Sequence, residues 1–132
     1  MPTTLRLSRA AEHFLAENHL CTFTTIRPNG TPHVAPVRFT WDPVTRTARV
    51  MTVEDRRKAR NVIAGGPSAP VSVCQLAGPR WITLEGTAEV HTDPARVLEG
   101  MRRYADRYGA LPPRVPRMAV IEIAVTKAMG LY

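Results

Sequence analysis

The clearest signal in the sequence is a strict two-residue alternation between Trp81 and His91. Thr and Glu side chains take one set of positions, and small or apolar residues take the other set: Ile82, Leu84, Gly86, Ala88 and Val90. A period of two places neighbouring side chains on opposite faces, as in a strand with one buried face. This segment therefore predicts an antiparallel sheet with one side against a core.

Five further segments have the composition of strands, and short turns rich in Gly, Pro, Asn or Asp separate them. They are residues 20–26, 31–41, 47–53, 70–76 and 118–125. Pro28-Asn29-Gly30 predicts a hairpin between the first two of these segments. Six strands with short connections favour an α+β fold that is mainly antiparallel β. A twisted sheet of this size tends to close into a barrel, which removes its edges.

Three short helices are predicted beside the sheet. The first covers residues 8–17, with Ser8 as a plausible cap, and the second covers residues 55–64 before Gly65-Gly66-Pro67. The third starts at Thr92-Asp93-Pro94 and ends at Gly109. With 132 residues and no internal repeat or linker, residues 1–132 are predicted to form a single domain.

Composition narrows the class of protein and its compartment. Cys21 and Cys74 both lie in apolar segments, which is typical of small buried side chains and not of a disulfide framework. His13, His19 and His91 lack the spacing of metal ligands, so no metal site is expected. Residues 1–20 do not resemble a signal peptide, and no apolar segment is long enough to span a membrane. A cytoplasmic protein without a membrane partner is expected.

The segment 50–61 contains the strongest indication of a binding site. An apolar strand ends at two acids, and a basic cluster then opens the second helix: Arg56, Arg57, Lys58 and Arg60. The first amides of a helix have no intrahelical acceptor, and the positive end of the helix dipole lies there as well. This combination predicts a phosphate site. The alternative interpretation is a solvated helix face, which is what most basic runs are.

The net charge of +7, from 18 Lys and Arg against 11 Asp and Glu, also suits a nucleic-acid binder. However, the sequence has no recognisable recognition helix and few aromatic residues for base stacking. No nucleic-acid partner is therefore expected, and the charge is explained either by a solubilising surface or by steering of a polyanionic small molecule.

Four segments coincide with a known family. They are residues 19–25 (HLCTFTT), residues 30–37 (GTPHVAPV), Arg56-x-Lys58-x-x-Asn61, and Trp81-x-x-Leu84-Glu85-Gly86-x-Ala88. In their order and spacing the chain resembles the split-barrel flavin and deazaflavin oxidoreductases related to pyridoxamine 5′-phosphate oxidase. Within that family it is similar to the branch that binds coenzyme F420. The resemblance implies a six-stranded split β-barrel with about three short helices.

The resemblance also implies a homodimer with two cofactor sites at the subunit interface. The phosphate of the cofactor would bind to Arg56, Lys58 and Asn61, and its ring would lie near Pro36, Val37 and Val53. Arg80 and Trp81 would complete a site, in the same subunit or in the partner. His33 is most simply a surface histidine; the functional alternative is that it lines the pocket near the ring or the substrate.

The predicted function is transfer of a hydride from reduced F420 to a small organic acceptor, such as biliverdin or a related conjugated molecule. The sequence contains no recognisable nucleophile–base–acid set, in agreement with a cofactor that supplies the chemistry. No catalytic side chain is identified. The alternatives are an FMN-binding oxidase or flavin reductase of the same fold, and a non-catalytic F420 carrier.

Overall fold

The computed structural model describes residues 5–132. The predictions that include residues 1–4, namely the start of the single domain and of the segment 1–20, extend beyond the described residues. Three α-helices, seven strands and a short 3-10 turn (Gly66–Ser68) are present in the described part. In chain order they are α1 (Arg9–Ala16), β1 (Cys21–Ile26), β2 (Pro32–Val37), β3 (Phe39–Asp42), β4 (Thr47–Val53), α2 (Arg57–Gly65), β5 (Ala69–Ala77), β6 (Arg80–His91), α3 (Pro94–Tyr108) and β7 (Met118–Leu131).

The strands form one sheet in the order β2-β1-β5-β6-β7-β4-β3, and every neighbouring pair is antiparallel. Its two edge strands, β2 and β3, are separated in the chain by Arg38 alone. The sheet therefore curls until its edges meet at this residue, which gives a barrel with a gap beyond it. The mainly antiparallel α+β class is as predicted.

The predicted number of six strands is wrong by one. The segment 31–41 was expected to be one strand, but it divides at Arg38 because its two halves pair with different partners. Residues of β2 pair with β1, whereas Phe39 pairs with Val50 of β4. Local alternation continues through this point, so only the tertiary pairing reveals the division.

The helix ends follow local chemistry. Ser8 accepts a hydrogen bond from the Ala11 amide at the start of α1, and Asp93 accepts one from Arg96 at the start of α3. Gly109 ends α3 in the left-handed region. In contrast, α2 begins at Arg57, two residues later than predicted, and no side chain caps it.

The longest strand pair, β6 with β7, contains a bulge. Glu85 pairs with Lys127 and Gly86 pairs with Val125, so Thr126 is the extra residue. After the bulge β7 continues to Leu131, six residues beyond the predicted end at residue 125. A Cβ atom on Gly86 would lie 2.0 Å from the Ala124 carbonyl oxygen, so the close approach of the two strands requires glycine there.

The core lies inside the barrel and beneath α1 and α2. It includes Phe14, Phe23, Phe39, Ile82, Leu84, Ile121 and Ile123, each at most 1% exposed. Cys21 is buried in the core, Cys74 is half-buried, and both thiols are free. No helix among the described residues is long and apolar enough to cross a bilayer.

Candidate functional site

The start of α2 leaves three backbone donors open. β4 ends at Val53, and the first i to i−4 bond of the helix joins the Arg60 amide to the Arg56 carbonyl. The amides of Arg57, Lys58 and Ala59 therefore precede the hydrogen-bonded part of the helix. The first turn contains no acidic residue. The positive end of the helix is thus not neutralised by its own sequence.

The basic side chains at this helix start are also without counterions. No acidic residue in the described part of the chain makes an ion pair with Arg56, Arg57, Lys58 or Arg60. The nearest acids in sequence are Glu54 and Asp55, and Arg117 holds both, at 2.8 and 3.7 Å. The fold thereby draws the adjacent negative charge away from the cluster.

Lys58 differs from its basic neighbours because it is half-buried, whereas Arg56, Arg57 and Arg60 are exposed. Burial lowers the pKa of the Lys58 ammonium, and repulsion from Arg56 lowers it further. A bound anion would replace the lost solvation and oppose both effects. Lys58 is therefore the member of the cluster best placed to gain from an anionic ligand.

His33 joins the cluster from β2. It pairs with Thr25 of β1, and its Nδ1 atom is buried without a hydrogen-bond partner. Desolvation lowers the pKa of the imidazole, and the charges of Arg27, Lys58 and Arg57 lower it further. Both effects favour the neutral imidazole, and the charges that act on it include two members of the basic cluster, Arg57 and Lys58.

Asn61 lies beneath the cluster and is 2% exposed. Its Nδ2 atom donates to Thr25 Oγ1 at 2.9 Å, whereas its Oδ1 atom is buried without a partner. The side chain thus connects α2 to β1 with one end of the amide and leaves the other unsatisfied. Such an orphaned acceptor suits a ligand or water with a donor to offer.

A cleft of about 260 Å³ adjoins this cluster. The β1–β2 hairpin forms one wall with Thr25, Arg27 and Gly30, and α2 forms the other with Asn61 and Gly65. Another cleft, of about 290 Å³, lies between α1, β3 and α3, and none of the predicted site residues lines it. Of the predicted site residues, Asn61 alone lines the first cleft.

The residues predicted to contact the ring lie where β2 separates from β4. The β3–β4 ladder stops at the Phe39–Val50 pair, and the described residues 32–37 pair with β1 only. Pro36 is exposed and Val37 is half-buried on the β2 side of this gap, and Val53 is half-buried on the other side. The fold thus brings two separate apolar segments to one opening.

Arg80 and Trp81 lie elsewhere in the chain. They follow the β5–β6 turn, and six residues of β5, roughly 20 Å of strand, separate the turn from Val71 at the cleft. Arg80 binds both carboxylate oxygens of Glu17, at 3.0 and 3.1 Å, and stacks on Phe14. Within one subunit these two residues do not join the predicted cluster.

A family model described as pyridoxamine 5′-phosphate oxidase matches residues 7–132. The chain belongs to this family. The F420H(2)-dependent biliverdin reductase of Mycobacterium tuberculosis (strain CDC 1551 / Oshkosh) is 42% identical over 128 residues, which are 97% of this chain and 90% of that relative. Family and relative confirm the prediction of an oxidoreductase enzyme.

Solved structures agree with this family assignment. A conserved hypothetical protein of Mycobacterium tuberculosis superposes with a TM-score of 0.76 at 20% identity, over 97% of this chain and 89% of that chain. A protein described as an F420 reductase superposes with a TM-score of 0.72 at 25% identity, over 93% and 98%. The fold class predicted for this member of the pyridoxamine 5′-phosphate oxidase family is confirmed.

Sequence reasoning missed Thr25 and Arg27 as parts of this cluster. Thr25 has no signal of its own, because threonine is common in strands. Arg27 precedes the Pro28-Asn29-Gly30 turn, and its guanidinium donates to the Pro32 carbonyl across that turn. Both residues reach the cluster only through the β1–β2 hairpin, which brings the end of β1 against α2.

Proposed function

We propose that this protein is a reductase that uses reduced F420 to reduce biliverdin or a related conjugated acceptor. The observation that carries the proposal is the uncompensated basic start of α2 beside buried, unpartnered atoms of His33 and Asn61. The 42% identity to an F420H(2)-dependent biliverdin reductase favours F420 over the FMN of the wider family.

The residues present fit the phosphate of such a cofactor. Lys58 and Arg56 would neutralise it, and the open amides of Arg57 to Ala59 would donate to its oxygens. Asn61 would act from beneath by positioning Thr25, because its Nδ2 donor is used by the Thr25 hydroxyl and its free Oδ1 atom can only accept, so it does not bind a phosphate oxygen directly. The described basic cluster contains no buried acid. In this proposal that matters because a buried carboxylate there would repel the phosphate.

The bound cofactor supplies the hydride, and the chain has to bind, orient and shield it. Pro36, Val37 and Val53 would cover the ring with apolar surface at the β2–β4 gap. Excluding water there keeps the acceptor in contact with the reactive carbon. None of these side chains carries an acidic proton, so the proton that accompanies the hydride would come from solvent or from the acceptor.

A homodimer is part of the proposal. The outer faces of four strands, β1, β2, β5 and β7, expose large apolar side chains: Ile26, Val34, Leu76, Met129 and Leu131. Trp81 lies on this face, opposite both Leu76 and Leu131 in the strand register. A second copy packed here would bury the apolar surface and bring its Trp81, and Arg80 beside it, toward the other subunit's site.

Charge reversal at Lys58 tests the cofactor site. We expect Lys58→Glu to weaken F420 binding at least tenfold, because it replaces a charge-assisted hydrogen bond with repulsion of the phosphate. The measurement is a fluorescence or calorimetric titration with F420 and, in parallel, with FMN. Arg9→Glu is the matched control, since it makes the same charge change at the exposed start of α1.

The outcomes separate the alternatives. Undiminished binding of both F420 and FMN by Lys58→Glu would overturn the proposed phosphate site. Tighter binding of FMN than of F420 by the unaltered protein would favour the flavin enzyme. Tight F420 binding without oxidation of F420H2 by biliverdin or any conjugated acceptor would favour the carrier.

A further inference from the structure

Arg38, the residue that joins the two edges of the sheet, is held in a fixed orientation by α3. Its Nη1 atom donates to the Tyr104 hydroxyl at 3.2 Å. Its guanidinium carbon lies 5.2 Å from the centre of the Tyr108 ring. The two tyrosine rings pack against each other at 5.0 Å. An exposed arginine is thus ordered by a hydrogen bond and a cation–π contact.

Among the described residues, Arg38 has no acid beside it, in contrast to most of the arginines of α3. Arg96, Arg102 and Arg103 each pair with at least one carboxylate on α3 or on the sheet. Within residues 5–132 the described partners of Arg38 are the two tyrosines alone. Most of its N–H donors therefore remain available on the surface of the protein.

The strand register places Arg38 beside the proposed ring site. Phe39 and Val50 are paired core residues, and Thr40 pairs with Arg49 on the opposite face. Alternation therefore puts Arg38 on the face of Thr40, the face that also carries Met51 and Val53. α3 covers this face, since a Cβ atom on Gly100 would meet the Met51 sulfur.

Arg38 and the phosphate cluster stand at opposite ends of the same strand. His33 marks the phosphate end of β2, and five residues, roughly 16 Å of strand, separate it from Arg38. Pro36 lies between them on the face of Arg38. Pro36, where we propose the ring to lie, is two residues from Arg38 and on its face, whereas His33 points to the opposite face of the strand.

From this placement we infer that Arg38, oriented by Tyr104 and Tyr108, is the receptor for a carboxylate of the acceptor. The inference rests on the proposed function and deepens it by naming the chemical class of the substrate: a conjugated acceptor with a carboxylate side chain. The guanidinium fork matches a carboxylate in two parallel hydrogen bonds. Tyr104, which accepts from Arg38, keeps its own proton to donate to the same group.

The test compares a diacid with its neutral ester. Biliverdin and biliverdin dimethyl ester are titrated into the protein without cofactor and followed by their absorbance. The variants are Arg38→Ala, Arg38→Lys and Tyr104→Phe, and Arg9→Ala is the control that removes one exposed charge at α1. F420 affinity is measured separately for each variant.

We expect Arg38→Ala to weaken biliverdin binding at least tenfold, to leave the ester unchanged and to leave F420 affinity unchanged. Arg38→Lys should recover only part of the loss, because it restores the charge without the fork. Tyr104→Phe should weaken binding of the diacid less than Arg38→Ala does. The inference would be overturned if Arg38→Ala lowered the affinities for diacid and ester equally, or if it lowered the affinity for F420.

The same data distinguish this inference from the proposed function. If the protein discriminates between diacid and ester through Arg38 but does not bind F420, the inference about Arg38 stands and the proposed cofactor is wrong. If the protein binds F420 through Lys58 but binds diacid and ester equally, the proposed cofactor stands and the inference about Arg38 is wrong.

Discussion

At the scale of single residues, His33 shows how much a site depends on neighbours distant in sequence. From the sequence it is a polar residue in a strand, most simply at the surface. In the fold, Arg27, Arg57 and Lys58 surround it, and its Nδ1 atom has no partner. Its pKa is lowered from the usual 6.5 by desolvation first and by these charges second.

The lowered pKa of His33 predicts a dependence of stability on pH. Below about 6.5 the unfolded chain binds a proton at this site more readily than the folded chain does, so acidification favours unfolding. The free energy of unfolding should fall between neutral pH and the folded-state pKa, and His33→Gln should flatten this part of the curve. Denaturant titrations at several pH values measure it.

The matched control for this experiment is His13→Gln, on the exposed face of α1. The account of His33 would be wrong if both variants kept the full acid sensitivity of the unaltered protein. A phosphate-bearing ligand should reduce the sensitivity, since its negative charge favours protonated His33.

At the scale of elements, the three helices divide by how they begin. α1 and α3 have side-chain caps at Ser8 and Asp93, whereas α2 starts at an uncapped Arg56 with no acid in its first turn. A side-chain cap at α2 would occupy the amides that the proposed phosphate needs. The sequence identified the Ser8 cap and the basic start of α2, because capping residues and charges are local signals, but it did not predict that α2 lacks a cap.

The β6–β7 pair contains a second element-level constraint, at Gly86. We expect Gly86→Ala to destabilise the protein by about 3 kcal/mol, because a Cβ atom 2.0 Å from the Ala124 carbonyl oxygen forces the backbones apart at the bulge. Gly78→Ala is the control: its φ is +60° but nothing lies within 4 Å, so a loss of about 1 kcal/mol is expected. Thermal or denaturant unfolding distinguishes the two, and equal losses would contradict the close approach.

At the scale of the whole molecule, we propose that a dimer accounts both for the apolar outer face and for the distance of Arg80 and Trp81 from α2. One subunit cannot bring these two residues to its own cluster, since roughly 20 Å of strand separates them. Arg80 is also bound by Glu17, and its hydrogen bonds lower the pKa of that carboxyl to about 2. We therefore propose that these two residues act at the partner's site.

Charge placed on the outer face should separate the subunits. We expect Leu76→Glu to give a monomer in sedimentation experiments and to lower cofactor affinity, because it buries a carboxylate in an apolar interface. Leu98→Glu on α3 changes a leucine that is 64% exposed, against 48% for Leu76, and should leave the oligomeric state unchanged. An unaltered protein that is already monomeric, or a dimer that tolerates Leu76→Glu, would remove this face from consideration.

The sequence by itself determined the helices, the antiparallel strands and the basic start of α2, because alternation, caps, turns and local charge act over a few residues. It did not determine the division at Arg38, the burial of Asn61 against Thr25, or the binding of Arg80 by Glu17. Each of these depends on which strands pair and on where the barrel closes. Such contacts join residues far apart in the chain, and no pattern confined to one segment records them.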